Sequence, residues 1–220
     1  MTQRDLYFIS GSPPCWTVML ALEVKGLAYR QKRLDNAKRE QKSPEFLKIN
    51  PRGQVPVLTQ GDLIVCETLA ILSYLDATYP APPLFGEAPQ ETARIWQAIC
   101  ECDGNLREPI GDISRPLFRG KGQEFAEQIT EAAAIVRNEL TLLEARLLSQ
   151  SWLAGETLSA ADLITFPVLM QLSRASAREE AAPLGLAIHP LSEHFPNLDE
   201  WRKRVEALQG FHNAYPPHWK

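Results

Sequence analysis

The chain has 220 residues and a formal net charge of −4, with 45% hydrophobic and 23% charged residues. That profile belongs to a globular protein with one full core or two small domains, and it excludes a disordered chain and the basic footprint of a nucleic-acid binder. No apolar run approaches the roughly 18–20 residues that span a bilayer, and Met1-Thr2-Gln3-Arg4-Asp5 shows no signal-peptide pattern, so the expectation is a cytoplasmic protein without membrane contact.

Leu6-Tyr7-Phe8-Ile9 reads as a strand, and Pro13-Pro14 then presets a helix start. Cys15 to Lys25 follows as a helix with Val18, Met19 and Leu22 inward, closed by Gly26. Residues 27–34 give a second strand. Ser43 before Pro44 reads as an N-cap with Pro at the first helical position, opening a short helix that Pro51 and Gly53 end. Val55 to Thr59, the tight turn Gln60-Gly61-Asp62, and Leu63 to Cys66 form a hairpin. Thr68 to Ala77 has Leu69, Leu72 and Leu75 near helical spacing. Strands joined through helices imply parallel pairing, with the hairpin as an antiparallel addition.

Composition changes at Tyr79 to Gln90, where Pro80, Pro82, Pro83, Gly86 and Pro89 make a stiff linker. Everything beyond reads as helix. Glu108 to Gly122 is expected to be irregular, interrupted by Gly and Pro. From Phe125, Ile129, Ala133, Val136, Leu140, Leu143 and Leu147 mark one buried face. Ser159-Ala160-Ala161-Asp162 reads as a capping box opening a helix to Leu172, with Pro167 expected to kink it. Asn197 to Leu208 is a last amphipathic helix. The domains expected are 1–80, a linker 81–90, and an all-helical 91–220.

Between Lys25 and Arg52 nine basic residues face three acidic ones, a local +6. Such a segment is either a solvated face or the surroundings of a small anion. Cys15, Cys66, Cys100 and Cys102 contain no CxxC and read as buried thiols, and the four histidines match no zinc pattern, so no metal is expected.

Three features carry chemistry. Ser12, before Pro13-Pro14-Cys15, places a hydroxyl at a helix N-terminus, where the backbone N–H groups and the dipole favour an anion. Such a hydroxyl can donate to a thiolate and lower that thiol's pKa, or serve as a plain N-cap. Gln54-Val55-Pro56 opens a strand with a proline. A cis bond at Pro56 frees the Val55 backbone to pair with an extended peptide, and a trans bond makes it an ordinary edge proline. Glu67-Thr68 stands between strand and helix. Thr68 is read as the helix cap whose N–H and hydroxyl can hold a carboxylate, and Glu67 as a partner for an ammonium group.

Taken together these segments resemble the cytosolic glutathione transferases over almost the whole chain. Asn50-Pro51-Arg52-Gly53-Gln54-Val55-Pro56-Val57-Leu58 resembles the family's NPxGxVPxL segment. Glu67-Thr68 resembles its Glu-Ser pair, and Leu158 to Asp162 its capping box. The resemblance implies a thioredoxin-like α/β N-terminal domain and an all-α C-terminal domain, with glutathione as co-substrate and a homodimer as the assembly. By position it implies Val55 on the cysteinyl part of glutathione before a cis Pro56. Glu67 and Thr68 fall on the γ-glutamyl end, Gln41 on the glycine end, and Gln54 is a further polar neighbour.

Ser12-x-Pro14-Cys15 resembles the serine-type classes (delta, theta, zeta), and Trp16-x-Val18 resembles zeta. Ser12 is therefore the implied activating residue, with Tyr7 and Cys15 as rivals. The reaction implied is attack of the glutathione thiolate on a small hydrophobic electrophile, in detoxification. Its pocket is expected between the domains, lined by the 12–16 loop and the first C-terminal helices, with Arg107, Ile110, Arg115 and Phe118 as candidate lining. The alternatives are a zeta-like isomerase acting on a maleyl-type diacid and a non-catalytic interaction module of the same fold.

Overall fold

The computed structural model describes residues 3–219; Met1 and Thr2, the start of the N-terminal stretch read above, and Lys220 lie outside them. The chain begins with β1 (Arg4–Phe8), α1 (Pro13–Val24), β2 (Arg30–Arg33), α2 (Pro44–Leu47), β3 (Val57–Gln60), β4 (Leu63–Cys66) and α3 (Thr68–Thr78). It continues with α4 (Pro89–Glu101), a π-helical turn Cys102–Leu106, α5 (Arg107–Phe118), α6 (Ala126–Arg146) and α7 (Ala160–Ser176). It ends with α8 (Leu191–His194), α9 (Pro196–Glu206) and α10 (Phe211–Ala214). The residues divide into two compact units, 1–84 with 208–220, and 85–207.

In the first unit the sheet order is β2-β1-β3-β4; β1 and β2 are parallel, and β3 is antiparallel to both β1 and β4. This is the order expected of a thioredoxin-like domain. Successive side chains of a strand point to opposite faces. Leu6 and Phe8 are buried with Leu20 and Leu22 of α1 and Ile71, Leu72 and Leu75 of α3. Tyr7 takes the other face, its ring tilted against Phe46 of α2 at 5.7 Å. Ser43 Oγ accepts the Phe46 N–H at 3.2 Å, so α2 starts at the expected cap.

The final segment lies with this first unit, although its sequence follows the helical region with which it was grouped. The cause is aromatic packing: Trp16 of α1 meets Phe211, Tyr215 and Trp219 at centroid distances of 6.0, 5.7 and 5.2 Å.

Lys25 corrects the reading of the basic segment. Its side chain is fully buried, donating to Asp76 Oδ1 at 2.9 Å and to the carbonyls of Tyr79 and Pro82 at 2.6 and 2.8 Å. It ties the start of the linker to α1 and α3 rather than facing solvent or a small anionic ligand. Arg30 is likewise held on Asp5, Nε to Oδ1 at 2.8 Å.

In the second unit α7 is buried along nearly its whole length and continues through Pro167, and α6 presents Ile129, Ala133, Val136, Leu140 and Leu143 inward. Asp162 is buried. It accepts from the N–H groups of Leu153 and Ser159 at 2.9 Å each, from Ser159 Oγ at 3.0 Å and from Trp201 Nε1 at 2.8 Å. One carboxylate thereby ties the cap of α7 to α9. The expectation of an irregular Glu108–Gly122 does not hold, because α5 occupies most of it. Pro109 follows directly on the π-helical turn Cys102–Leu106, and Ile110, Ile113 and Leu117 give the apolar face that overrides the Gly and Pro signals.

Candidate active site

The registers bring the candidate residues to one end of the sheet. Phe8 pairs with Arg33, Tyr7 with Val57, and Val57 with Cys66. The ends of β1, β2 and β4 and the start of β3 therefore share one edge of the first unit. The segments 9–12, 34–43, 50–56 and 67–68 all leave or enter the sheet there. Ser12, Gln41, Gln54, Val55, Pro56, Glu67 and Thr68 lie on these four segments.

Ser12 is half-buried and occupies the N-cap of α1 with extended backbone (φ −76°, ψ 121°). Its carbonyl accepts the Trp16 N–H at 2.9 Å, and its own N–H reaches the Ile9 carbonyl at 3.2 Å. Its hydroxyl makes no capping bond to the helix. The N-terminus is poorer in donors than the sequence reading supposed. Pro13 and Pro14 are the first two helical residues and have no N–H, which leaves the Ser12 hydroxyl and the Cys15 N–H as the donors of that turn.

The rivals are placed differently. Burial pushes the Cys15 thiol up to about 11, only partly offset by the neighbouring Ser12 side chain and the Ile9 backbone. A thiol of that kind stays protonated and unreactive at neutral pH. Tyr7 packs its ring beneath α2.

The Val55–Pro56 peptide is cis. Val55 stands outside the β ladders, half-buried, and no backbone hydrogen bond to it is formed among the described residues. Its loop is built by Asn50, a buried polar residue. Asn50 Nδ2 donates to the Gln54 carbonyl at 2.8 Å, Oδ1 accepts the Arg52 N–H at 3.1 Å, and the Asn50 carbonyl accepts the Gly53 N–H at 2.8 Å.

Gly53 has φ +59°, and a Cβ there would come within 2.6 Å of the Gln41 carbonyl oxygen and 2.8 Å of Lys42 Nζ. Only glycine lets the two segments meet so closely. Lys42 Nζ closes the contact by donating to the Arg52 carbonyl at 2.8 Å. Gln41 donates Nε2 to Asn36 Oδ1 at 2.9 Å, while its Oε1 is buried with no partner among the described residues. The Gln54 side chain is exposed.

At the β4–α3 junction Glu67, not Thr68, occupies the N-cap position, with φ 71° and ψ 127°. Thr68 is the first helical residue, so its N–H is one of the orphan donors of the helix. A non-glycine residue at such a φ is strained by about 1–3 kcal/mol and marks functional sites more often than chance. The exposed Glu67 carboxylate also helps burial hold the Cys66 thiol above its ordinary range.

Asn50 and Lys42 organise the site together with Gly53, which the sequence reading used only as a helix stop. The Asn-Pro and Gly turn signals at 50–53 were the available clue. On the helical unit, Arg107 pairs with Asp103, Ile110 is buried in the core, Arg115 reaches Asp112 at 3.4 Å, and Phe118 lies under the Arg174 guanidinium at 5.6 Å. Among the described residues no three His, Cys, Asp or Glu gather as a metal-binding group, and no helix is long and apolar enough to cross a membrane.

Comparison with known proteins shows the family of the chain. The family model for the glutathione S-transferase N-terminal domain matches residues 6–83, and that for the C-terminal domain matches 108–209. Glutathione S-transferase A of Pleuronectes platessa is 33% identical over 96% of this chain and 90% of its own. The crystal structure of a glutathione S-transferase from the Antarctic clam Laternula elliptica superposes with a TM-score of 0.83 at 30% identity, covering 99% of this chain and 94% of that one. A Sulfitobacter glutathione transferase homologue with bound glutathione gives 0.76 at 25% identity, covering 97% of each chain. With both family models matched in order and relatives similar along nearly its whole length, the chain belongs to the glutathione S-transferase family.

Proposed function

We propose that this enzyme is a serine-type glutathione transferase in which Ser12 activates the thiol of glutathione. The observation that carries the reading is the convergence of Ser12, Gln41, Val55, Glu67 and Thr68 on one end of the sheet. Glutathione is an extended peptide with an ammonium and a carboxylate at one end and a second carboxylate at the other. The Val55 N–H and C=O pair with its cysteinyl backbone as an added strand would. Glu67 takes the ammonium, and the Thr68 N–H and hydroxyl take the neighbouring carboxylate. Gln41 faces the glycine end, with Gln54 beside it.

The Ser12 O–H donates to the sulfur, stabilising the thiolate over the thiol and lowering its pKa. The thiolate then attacks an electrophilic carbon, a C–S bond forms, and the leaving group departs with the bonding pair. The thiol proton passes to solvent. The protein supplies position and thiolate stabilisation, and the nucleophile belongs to the co-substrate. A small hydrophobic electrophile, a detoxifying role and a cytoplasmic location complete the reading. So does a homodimer, for which the exposed Leu63 and Ile64 of edge strand β4 give support.

Conjugation of glutathione to 1-chloro-2,4-dinitrobenzene, followed by absorbance, tests it. Wild type should turn over and Ser12→Ala should lose about 10²-fold or more in kcat/KM, the range of a removed transition-state donor. Equal rates for the two proteins would refute the role of Ser12.

A further inference from the structure

The far end of the first unit, away from the sheet end that gathers Ser12 and Val55, carries a polar cavity. It is open, holds about 620 Å³, and lies between the end of α1, the start of β2 and the C-terminal segment. Glu23 lines it, eleven residues along α1 from Ser12, or about 16 Å at the helical rise per residue. The size falls within the roughly 300–1,000 Å³ of small-molecule sites.

The charge here is one-sided. Glu23 stands in the last turn of α1, where the helix dipole already places negative charge and no basic residue answers it. The cations of this end are turned elsewhere: Lys25 is buried on Asp76, and Arg30 is held on Asp5 at 2.8 Å. Among the described residues Glu23 forms no ion pair, and its Oε2 accepts Asn213 Nδ2 at 2.9 Å.

Tyr29 supplies an independent sign. Its hydroxyl oxygen is buried beside the Glu23 and Gln31 side chains and has no hydrogen-bond partner among the described residues. A buried polar atom left in that state is costly unless a ligand or a water answers it. Burial and the Glu23 carboxylate hold this phenol above its ordinary range, so it stays neutral. Gly210, at φ +79°, lets the C-terminal segment pass close over the carboxylate, because a Cβ there would come within 2.5 Å of Glu23 Oε2. The amides of Gln31, Gln209 and Asn213 complete the wall.

We infer that this cavity binds a hydroxylated primary amine of the amino-sugar class, its ammonium between the Glu23 carboxylate and the Tyr29 hydroxyl and its hydroxyls on the three amides. An ammonium answers the uncompensated charge and donates to both oxygens at once. Side-chain amides both donate and accept, which suits hydroxyl groups better than an alkyl chain. A divalent metal ion is the poorer occupant: it takes about six or more oxygen ligands, several of them carboxylates, and Glu23 is the one acid in the described wall. The inference is independent of the role of Ser12. A Glu23 that only holds the C-terminal segment through Asn213 is the competing role, and the experiment separates the two.

Calorimetric titration of the glutathione-free protein with D-glucosamine at about pH 6.5, where the amine is protonated, should show one site per chain with a Kd below about 1 mM. D-Glucose, with a hydroxyl in place of the ammonium, should bind at least about tenfold more weakly, and so should glucosamine to Glu23→Gln, as expected for a lost charge-assisted hydrogen bond. Tyr29→Phe should weaken binding about two- to tenfold, the worth of one neutral hydrogen bond. Ser12→Ala should bind as wild type does. Absence of binding to wild type at about 1 mM glucosamine would overturn the inference, and so would equal affinity for glucose. The glucose comparison needs no variant, so it decides even where Glu23→Gln loosens the fold. A Glu23→Gln protein that melts lower yet keeps its affinity would overturn the inference and assign Glu23 to holding the C-terminal segment.

Discussion

Asn50 Nδ2 donates to the carbonyl oxygen of Gln54 at 2.8 Å, so one buried amide fixes the loop that carries Val55. With Oδ1 on the Arg52 N–H, this side chain stands in for backbone partners that the turn cannot supply. Asn50→Ala should destabilise the protein by about 1–3 kcal/mol, the cost of leaving such groups unpaired. It should also weaken glutathione binding, because Gln54 and Val55 lose their anchor. Denaturant melts and calorimetry read the two effects, and unchanged affinity would mean that the loop is held by Gly53 and Lys42 alone.

Glu67 offers a test in which stability and binding move in opposite directions. Its φ of 71° carries strain that glycine does not feel. Glu67→Gly should relieve about 1–3 kcal/mol of strain and lose roughly 1 kcal/mol to chain entropy, leaving stability equal or higher. Glutathione affinity should fall about tenfold or more as the ammonium loses its carboxylate. Glu67→Ala should lose the affinity without the gain in stability. A drop in Tm for Glu67→Gly would contradict the strain argument.

The buried thiols give the chain an alkaline weakness. Burial pushes both Cys15 and Cys102 up from their ordinary value near 9 to about 11. The folded chain keeps these protons between pH 9 and 11, whereas the unfolded chain releases them. Unfolding therefore becomes easier as pH rises through that window, by up to about 2–3 kcal/mol per thiol. Below pH 9 both states hold the protons and the effect vanishes. Urea titrations at pH 8 and 10.5 on wild type and on the Cys15→Ala, Cys102→Ala double variant should show a steeper loss in wild type, and parallel losses would rule the thiols out as its cause.

The local signals were the legible ones. The Ser43 cap, the Gly61 turn and the carboxylate of Asp162 on the cap of α7 each depend on neighbours in the chain, and each is found in place. What depends on distant partners was not legible. Lys25 reads as one of nine surface cations, but its acceptors lie more than fifty residues away. The C-terminal aromatics have no periodicity that announces Trp16 as their partner. In α5 the Gly and Pro punctuation outweighed a sound apolar spacing.

The candidate site shows the same division. Ser12, Val55 and Glu67 were legible as motif positions, yet only the strand registers reveal that they share one sheet end. Two prolines that read as a helix start also remove two N–H donors from that turn. In the proposed reading that leaves more of the thiolate stabilisation to the Ser12 hydroxyl.

The most direct measurement is therefore the ionisation of bound glutathione, followed by thiolate absorbance against pH in wild type, Ser12→Ala and Tyr7→Phe. Activation by Ser12 requires a thiol pKa well below the free value of about 8.5 in wild type and Tyr7→Phe, returning toward it in Ser12→Ala. A depressed pKa that survives in Ser12→Ala and disappears in Tyr7→Phe would contradict the assignment and place the activating group on β1.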